Sequence, residues 1–121
     1  MIVADSSYLV EGLLKDVSLI ENEGVVVSPD LALYEVVNAV WKHETVLKDI
    51  KDGRPYLDVL SKLVSARAVR FVKPDKKIIG QAYQLASKKR CTFYDAVFVV
   101  LALELGLELK TFDEAQRALL P

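Results

Sequence analysis

The stretch CTFYDAVFVV, Cys91 to Val100, sets one carboxylate, Asp95, among residues that are otherwise almost wholly apolar. An ionised carboxylate withdrawn from water must be paired, hydrogen-bonded or bound to a metal. Three other acids stand where the chain changes character: Asp5 closes the apolar run MIVAD, Glu35 follows GVVVS, and Asp113 follows LELKT. Carboxylates held close together repel at low effective dielectric, so a site containing all four demands a bound cation or raised pKa values. All-oxygen donors without His or Cys suit Mg²⁺ or Mn²⁺ rather than zinc. His43 falls in a polar part of a helix and Cys91 has no companion at ligand spacing, so neither is a candidate ligand.

Whether the acids meet depends on the elements that carry them. MIVAD reads as a short buried strand and SYLVEGLLKD as a helix; GVVVS reads as a second strand. A long helix is expected over PDLALYEVVNAVWKHETVLKDIK, with Ser28 as N-cap and Pro29 at its first position. After the break DGRP comes a helix at YLDVLSKLVS, a third strand at AVRFV and a helix from Asp75 to Lys89. Thr92 opens a further helix that runs to about Leu105 and ends at Gly106, before a fourth strand at LELKT and a short helix at DEAQRALL. The order βα, βαα, βαα, βα predicts an α/β fold in three layers, with a mostly parallel sheet covered on both faces. In such sheets ligands bind outside the carboxyl ends of the strands. Asp5, Glu35 and Asp113 fall at those ends, and Asp95 joins them because its helix should run antiparallel to the fourth strand.

Composition sets the frame. The chain of 121 residues, 52% hydrophobic and 27% charged, fits a single domain over residues 1–121 and excludes disordered and disulfide-scaffold classes. A formal net charge of -1 supplies no global positive field for nucleic acid, so any such role rests on a local patch. The lone cysteine, the absence of a signal-like N-terminus and the shortness of the apolar run Ala96 to Leu103 predict a soluble, cytoplasmic protein with no membrane segment.

Each acid also has a plainer reading. Thr92 to Asp95 matches a T-x-x-D capping box, and Thr111 to Glu114 a T-x-x-E box in which Glu114 caps and leaves Asp113 free. Asp5 before Ser6 and Ser7 suits an Asx-type turn, and Ser7 suits a helix cap. Glu35 resists such readings, because its helical neighbours are Asn38 and Ala39 rather than cations, in contrast to the i,i+4 pair Glu44 and Lys48. Asn38 shares the face of Glu35 and could hydrogen-bond a carboxylate or a metal-bound water. Separate structural roles need four explanations; a metal site needs one.

The segments VADSS, PDLALYEVVNAVWK and TFYDAVFVVLALELGLELKTFD resemble the ordered motifs of PIN-domain ribonucleases, especially VapC-type toxins, over essentially the whole chain. The matching positions are Asp5 and Ser7 of D-x-S, Glu35 and Asn38 of E-x-x-N, Asp95 of Y-D-A, and Thr111 and Asp113 of T-x-D. The resemblance implies a three-layer α/β/α fold with a central, mostly parallel sheet of four to five strands, the fifth being short. It also implies an acidic pocket that binds one or two Mg²⁺ or Mn²⁺ ions for phosphodiester hydrolysis.

On this reading Asp5, Glu35, Asp95 and Asp113 hold metal and carry catalysis, while Ser7, Asn38 and Thr111 orient carboxylates or waters. Lys88, Lys89 and Arg90 are the nearest cations for RNA phosphates, with Lys73, Lys76 and Lys77 a second group. The resemblance further implies a homodimer and a cognate antitoxin, with Trp41, Tyr56 and Leu60 as either interface anchors or core. The alternatives are an RNA-processing PIN nuclease outside a toxin-antitoxin system and a catalytically silent PIN-like module that binds RNA or protein. A phosphoaspartyl enzyme is disfavoured, since Ser7 stands where a second Asp is expected.

Overall fold

Short runs of β-branched residues with no polar alternation can be strands only if both faces are covered, and the computed structural model, which describes residues 1–121, has that architecture. Strands β1 (Ile2–Ala4), β2 (Val26–Pro29), β3 (Val69–Val72) and β4 (Leu109–Lys110) form one sheet in the order β3-β2-β1-β4. Every pairing is parallel, with Val3 opposite both Val27 and Leu109. The helices between them are α1 (Ser6–Leu14), α2 (Ser18–Glu21), α3 (Leu31–Thr45), α4 (Arg54–Ser65), α5 (Lys76–Lys89), α6 (Phe93–Leu105) and α7 (Glu114–Arg117). The expected three-layer α/β/α fold is present, with four strands and no fifth.

The last strand is shorter than LELKT suggested, because only Leu109 and Lys110 pair with β1. The helix α2 was not expected: its four residues are too few to display a helical period. Gly12 lets α1 and α2 approach closely, since a Cβ there would stand 2.7 Å from the Ile20 side chain.

Two features of the second crossover differ from expectation. Ser28 is not a helix cap but lies buried in β2, where its hydroxyl donates to the Ala4 carbonyl at 2.7 Å. Pro29 is the last residue of that strand, paired with Val72, where its missing N–H leaves no ladder bond to break. The cap position of α3 falls to Asp30, whose side chain makes no capping bond. The helix also stops at Thr45 rather than reaching Lys51, and Lys48 takes a left-handed φ of 55°. Glu44 and Lys48 are therefore no helical pair; Glu44 Oε1 instead accepts the Gly53 N–H at 2.6 Å.

Helix α6 begins and ends as expected. The Thr92 hydroxyl accepts the Asp95 N–H at 3.1 Å, and Gly106 closes the helix at a φ of 65° that favours glycine. Residues Ala96 to Ala102 are all buried, because the helix packs against α5, β1, β2 and β4. One contiguous core runs from the strands through α1, α3 and α6. No helix is long and apolar enough to cross a membrane.

Candidate metal and phosphodiester site

With every strand parallel, all four carboxyl ends emerge on one side of the sheet, and the acids follow them. Asp5 succeeds β1 directly and is the N-cap of α1, accepting the Tyr8 N–H at 3.1 Å. Ser7 does not take that cap. It is the second residue of α1, and its hydroxyl donates to Asp5 Oδ1 at 2.7 Å and accepts the Phe112 N–H at 2.9 Å. Asp5 Oδ2 receives the Thr111 hydroxyl, and the same Thr111 oxygen accepts the Asp113 N–H at 2.9 Å. A buried carboxylate, 4% exposed, is thus held by one amide and two hydroxyls contributed from both ends of the chain.

Glu35 stands in the second turn of α3 and accepts the Ser6 hydroxyl at 2.6 Å through Oε1. Asp95 occupies the first turn of α6, where only half of the expected capping box forms: Thr92 accepts its amide, but the Asp95 carboxylate makes no return bond. Asp113, not Thr111, is the N-cap of α7; its Oδ1 accepts the Ala115 and Gln116 amides at 2.9 and 3.4 Å. Glu114 therefore does not cap but pairs with Arg117 at 2.9 Å.

Asp5, Glu35, Asp95 and Asp113 line a single hollow of about 80 Å³, together with Ser6, Ser7, Phe98 and Gln116. No group of three of these side chains stands ready to hold an ion directly. Each acid nevertheless keeps acceptor capacity. Of the roughly four lone-pair sites of a carboxylate, Asp5 uses three in its amide and hydroxyl bonds. Glu35 Oε2 and Asp113 Oδ2 accept nothing, and Asp95 leaves both oxygens open.

The other expected residues separate. Thr111 is buried beside Asp5, whereas Asn38 is exposed on α3 and does not line the hollow. Lys88, Lys89 and Arg90 are exposed at the end of α5, just before α6 begins. Lys77 pairs with Glu104. Leu60 belongs to the core, Tyr56 is half-buried, and Trp41 is 54% exposed. His43 faces Asp49 at 2.9 Å, away from the acids. Gln116 escaped sequence reasoning: its side-chain amide donates to the Asp95 carbonyl at 2.7 Å and ties α7 to the first turn of α6. A lone glutamine in so short a helix carries no sequence signal.

Behind Thr111, Lys110 donates to Glu23, and this bond holds the Glu23 carboxyl below its usual value and the Lys110 ammonium above its own. Burial raises the nearby Tyr8 phenol, whose oxygen lies 3.3 Å from Glu23 Oε1. The Tyr8 ring stacks on Phe112, with centroids 5.4 Å apart and planes inclined by 10°.

A family model described as PIN domain matches residues 2–119. Ribonuclease VapC3 of Pyrobaculum aerophilum is 35% identical over 86 residues, which cover 69% of this chain and 63% of that protein. The match thus spans a little less than two thirds of that relative's length. Among solved structures, the Pyrobaculum aerophilum protein PAE2754 superposes with a TM-score of 0.78 at 24% identity, over 98% of this chain and 85% of its own. VapC20 of Mycobacterium tuberculosis, described as a sarcin-ricin loop cleaving toxin, gives a TM-score of 0.68 at 15% identity, over 98% and 94%. At these identities the two structures speak for the fold.

Proposed function

The chain belongs to the PIN domain family, and on that premise we propose that it is a metal-dependent endoribonuclease that hydrolyses RNA phosphodiester bonds, and the toxin of a VapBC-type pair. The observation that carries this reading is the convergence of Asp5, Glu35, Asp95 and Asp113 on one hollow at the carboxyl edge of a parallel sheet. The similarity to Ribonuclease VapC3 supports the choice of RNA.

The donor set fits a hard cation, Mg²⁺ or Mn²⁺. Because no three acids stand ready as direct ligands, the fit is to an ion that keeps part of its water shell, as Mg²⁺ commonly does. Asp5, Glu35, Asp95 and Asp113 would hold it, directly or through water. Bound there, the ion supplies a water acidified toward neutrality and offsets charge on the phosphate. The protein's share is orientation. Ser7, Thr111 and the Tyr8 amide fix the Asp5 carboxylate and leave it one acceptor site. Ser6 fixes one oxygen of Glu35 and leaves the other open. The Gln116 amide holds the backbone of Asp95 while its carboxylate faces the hollow unengaged.

Lys88, Lys89 and Arg90 are the proposed phosphate contacts, and Asn38 contributes at most from the rim. A cytoplasmic homodimer, silenced by an antitoxin over the acidic hollow, completes the reading. Exposed Val37 and Trp41 on α3 supply apolar area for such partners.

Purified protein with Mg²⁺ or Mn²⁺ is expected to cut structured or single-stranded RNA and to stop on adding a chelator. Asp5→Asn and Asp95→Asn should each lower kcat at least a hundredfold while circular dichroism stays native. An enzyme that cuts no RNA with either ion, and whose metal affinity is unchanged in both variants, would sink the proposal. A neighbouring reading frame encoding a small DNA-binding antitoxin separates the toxin from an RNA-processing nuclease.

A further inference from the structure

Three of the four site acids are preceded in the chain by an exposed aromatic residue: Tyr34 before Glu35, Tyr94 before Asp95 and Phe112 before Asp113, at 70%, 60% and 53% exposure. None of the three rings lines the acid hollow itself, although each adjoins in sequence a residue that does, and large rings left in water gain stability only when something covers them. Phe112 differs from the two tyrosines in being braced. The nearly buried Tyr8 covers one of its faces in a parallel stack, which leaves the rest of the ring to solvent. Its backbone is also fixed to the site: the Phe112 N–H donates to Ser7 Oγ at 2.9 Å, and that hydroxyl donates to Asp5 Oδ1 at 2.7 Å. Two bonds thus separate the ring's own residue from the buried carboxylate. A hollow of about 250 Å³ adjoins it, lined by Tyr8 and Phe112 themselves and by Glu108, Lys110, Thr111 and Arg117.

We propose that Phe112 is a stacking platform for a nucleobase of the RNA strand, next to the phosphate presented to the acids, and that Tyr8 is its rigid backing. This rests on the nuclease reading above and adds how the substrate is gripped. A protein with a net charge of -1 gains little affinity from long-range attraction to phosphates. Stacking supplies affinity without charge and tolerates any base, because every base presents a π-face. A ring held in place loses no rotamer freedom when the base arrives. The location favours RNA over a protein partner as occupant, because the Phe112 backbone is bonded to Ser7 in the acid hollow while its ring lines the adjoining hollow.

The test uses a short single-stranded oligoribonucleotide carrying 2-aminopurine, bound without metal so that nothing is cut. Binding should quench its fluorescence at one position, and Phe112→Leu should abolish that quenching and weaken binding roughly 5- to 150-fold, the worth of one stacked base. Phe112→Trp should restore both, which a loss of folding or a purely structural role would not allow. In cleavage assays the leucine variant should raise KM far more than it lowers kcat. Unchanged affinity and KM in Phe112→Leu would overturn the proposal while leaving the nuclease reading intact, and would hand the ring to a protein partner. Quenched binding by a chain that cuts no RNA would sustain the platform and reject the nuclease.

Discussion

Thr111 carries more of the site than its single hydroxyl suggests. It gives its proton to Asp5 and accepts the amide of Asp113, so it fixes two of the four acids at once. Thr111→Val keeps the β-branched shape and removes both bonds. Loss of such a supporting contact typically lowers metal affinity or activity about 10- to 100-fold; isothermal titration with Mn²⁺ alongside RNA cleavage should find that drop at a temperature well below the variant's own melting point, which falls because two bonds of the buried Thr111 are lost. At this scale the placement of the four acids was legible in the sequence, because Asp5, Asp95 and Asp113 stand at helix beginnings and Glu35 in the second turn of its helix. Their local duties were not. Asp5 and Asp113 are helix caps as well as candidate ligands, and the Asp95 box closes on one side only. Capping patterns fix which residue types are competent, whereas backbone φ and ψ decide which of two neighbours does it, and sequence does not display those angles.

Among the elements, α6 was the most legible and α2 the least. Thr92 and Gly106 punctuate α6 unambiguously, and its seven buried residues in succession exclude any surface helix. Its role is mechanical: the same helix that carries Asp95 in its first turn is clamped by α5 and three strands. Leu101, 3% exposed, lies almost two turns beyond the acid, so Leu101→Ala should remove about 2–5 kcal/mol of stability through the transfer term and the cavity left behind. Urea unfolding should report that loss, with kcat at low temperature changed only modestly. The missed features share a cause. Pro29 after Ser28 reads locally as a helix start, yet the pairing of β2 with β3 extends the strand through both residues. Tertiary pairing overrode a local signal, as it did again in reducing LELKT to two paired residues.

At the scale of the whole molecule, the ends of the chain close on each other through Glu23 and Lys110. Glu23 sits in the turn after α2 and Lys110 ends the last strand, 87 positions later. The bond from Lys110 lowers the Glu23 carboxyl below its ordinary 4.5, so its contribution is full above that value and is lost as pH falls through the depressed one. The raised Lys110 ammonium keeps its half of the pair until pH climbs past the ordinary 10.5. Stability measured against pH should therefore decline on the acid side below 4.5 in the native protein, and Glu23→Gln should flatten that decline. A variant with an unaltered acid limb would count against the pair. Sheet class, layer count and parallel sense were all readable from alternating element types. The closure was not, since neither residue announces a partner so far away.

The pairing of β1 with β4 also bears on how the protein is made. Asp5 leaves the ribosome early, but Thr111, its hydroxyl donor, and the strand that registers Val3 against Leu109 come more than a hundred residues later. A nascent chain emerged only through α6 already holds three of the acids and two of the three donors to Asp5, and it lacks Asp113 and the Thr111 hydroxyl that engages Asp5 Oδ2. Pairings of this sequence separation are slow to form, and this one cannot form before β4 has been synthesised. The acid-lined edge is thus completed only by the final strand to be synthesised among those described, when β4 pairs with β1 and brings Thr111 and Asp113 into place.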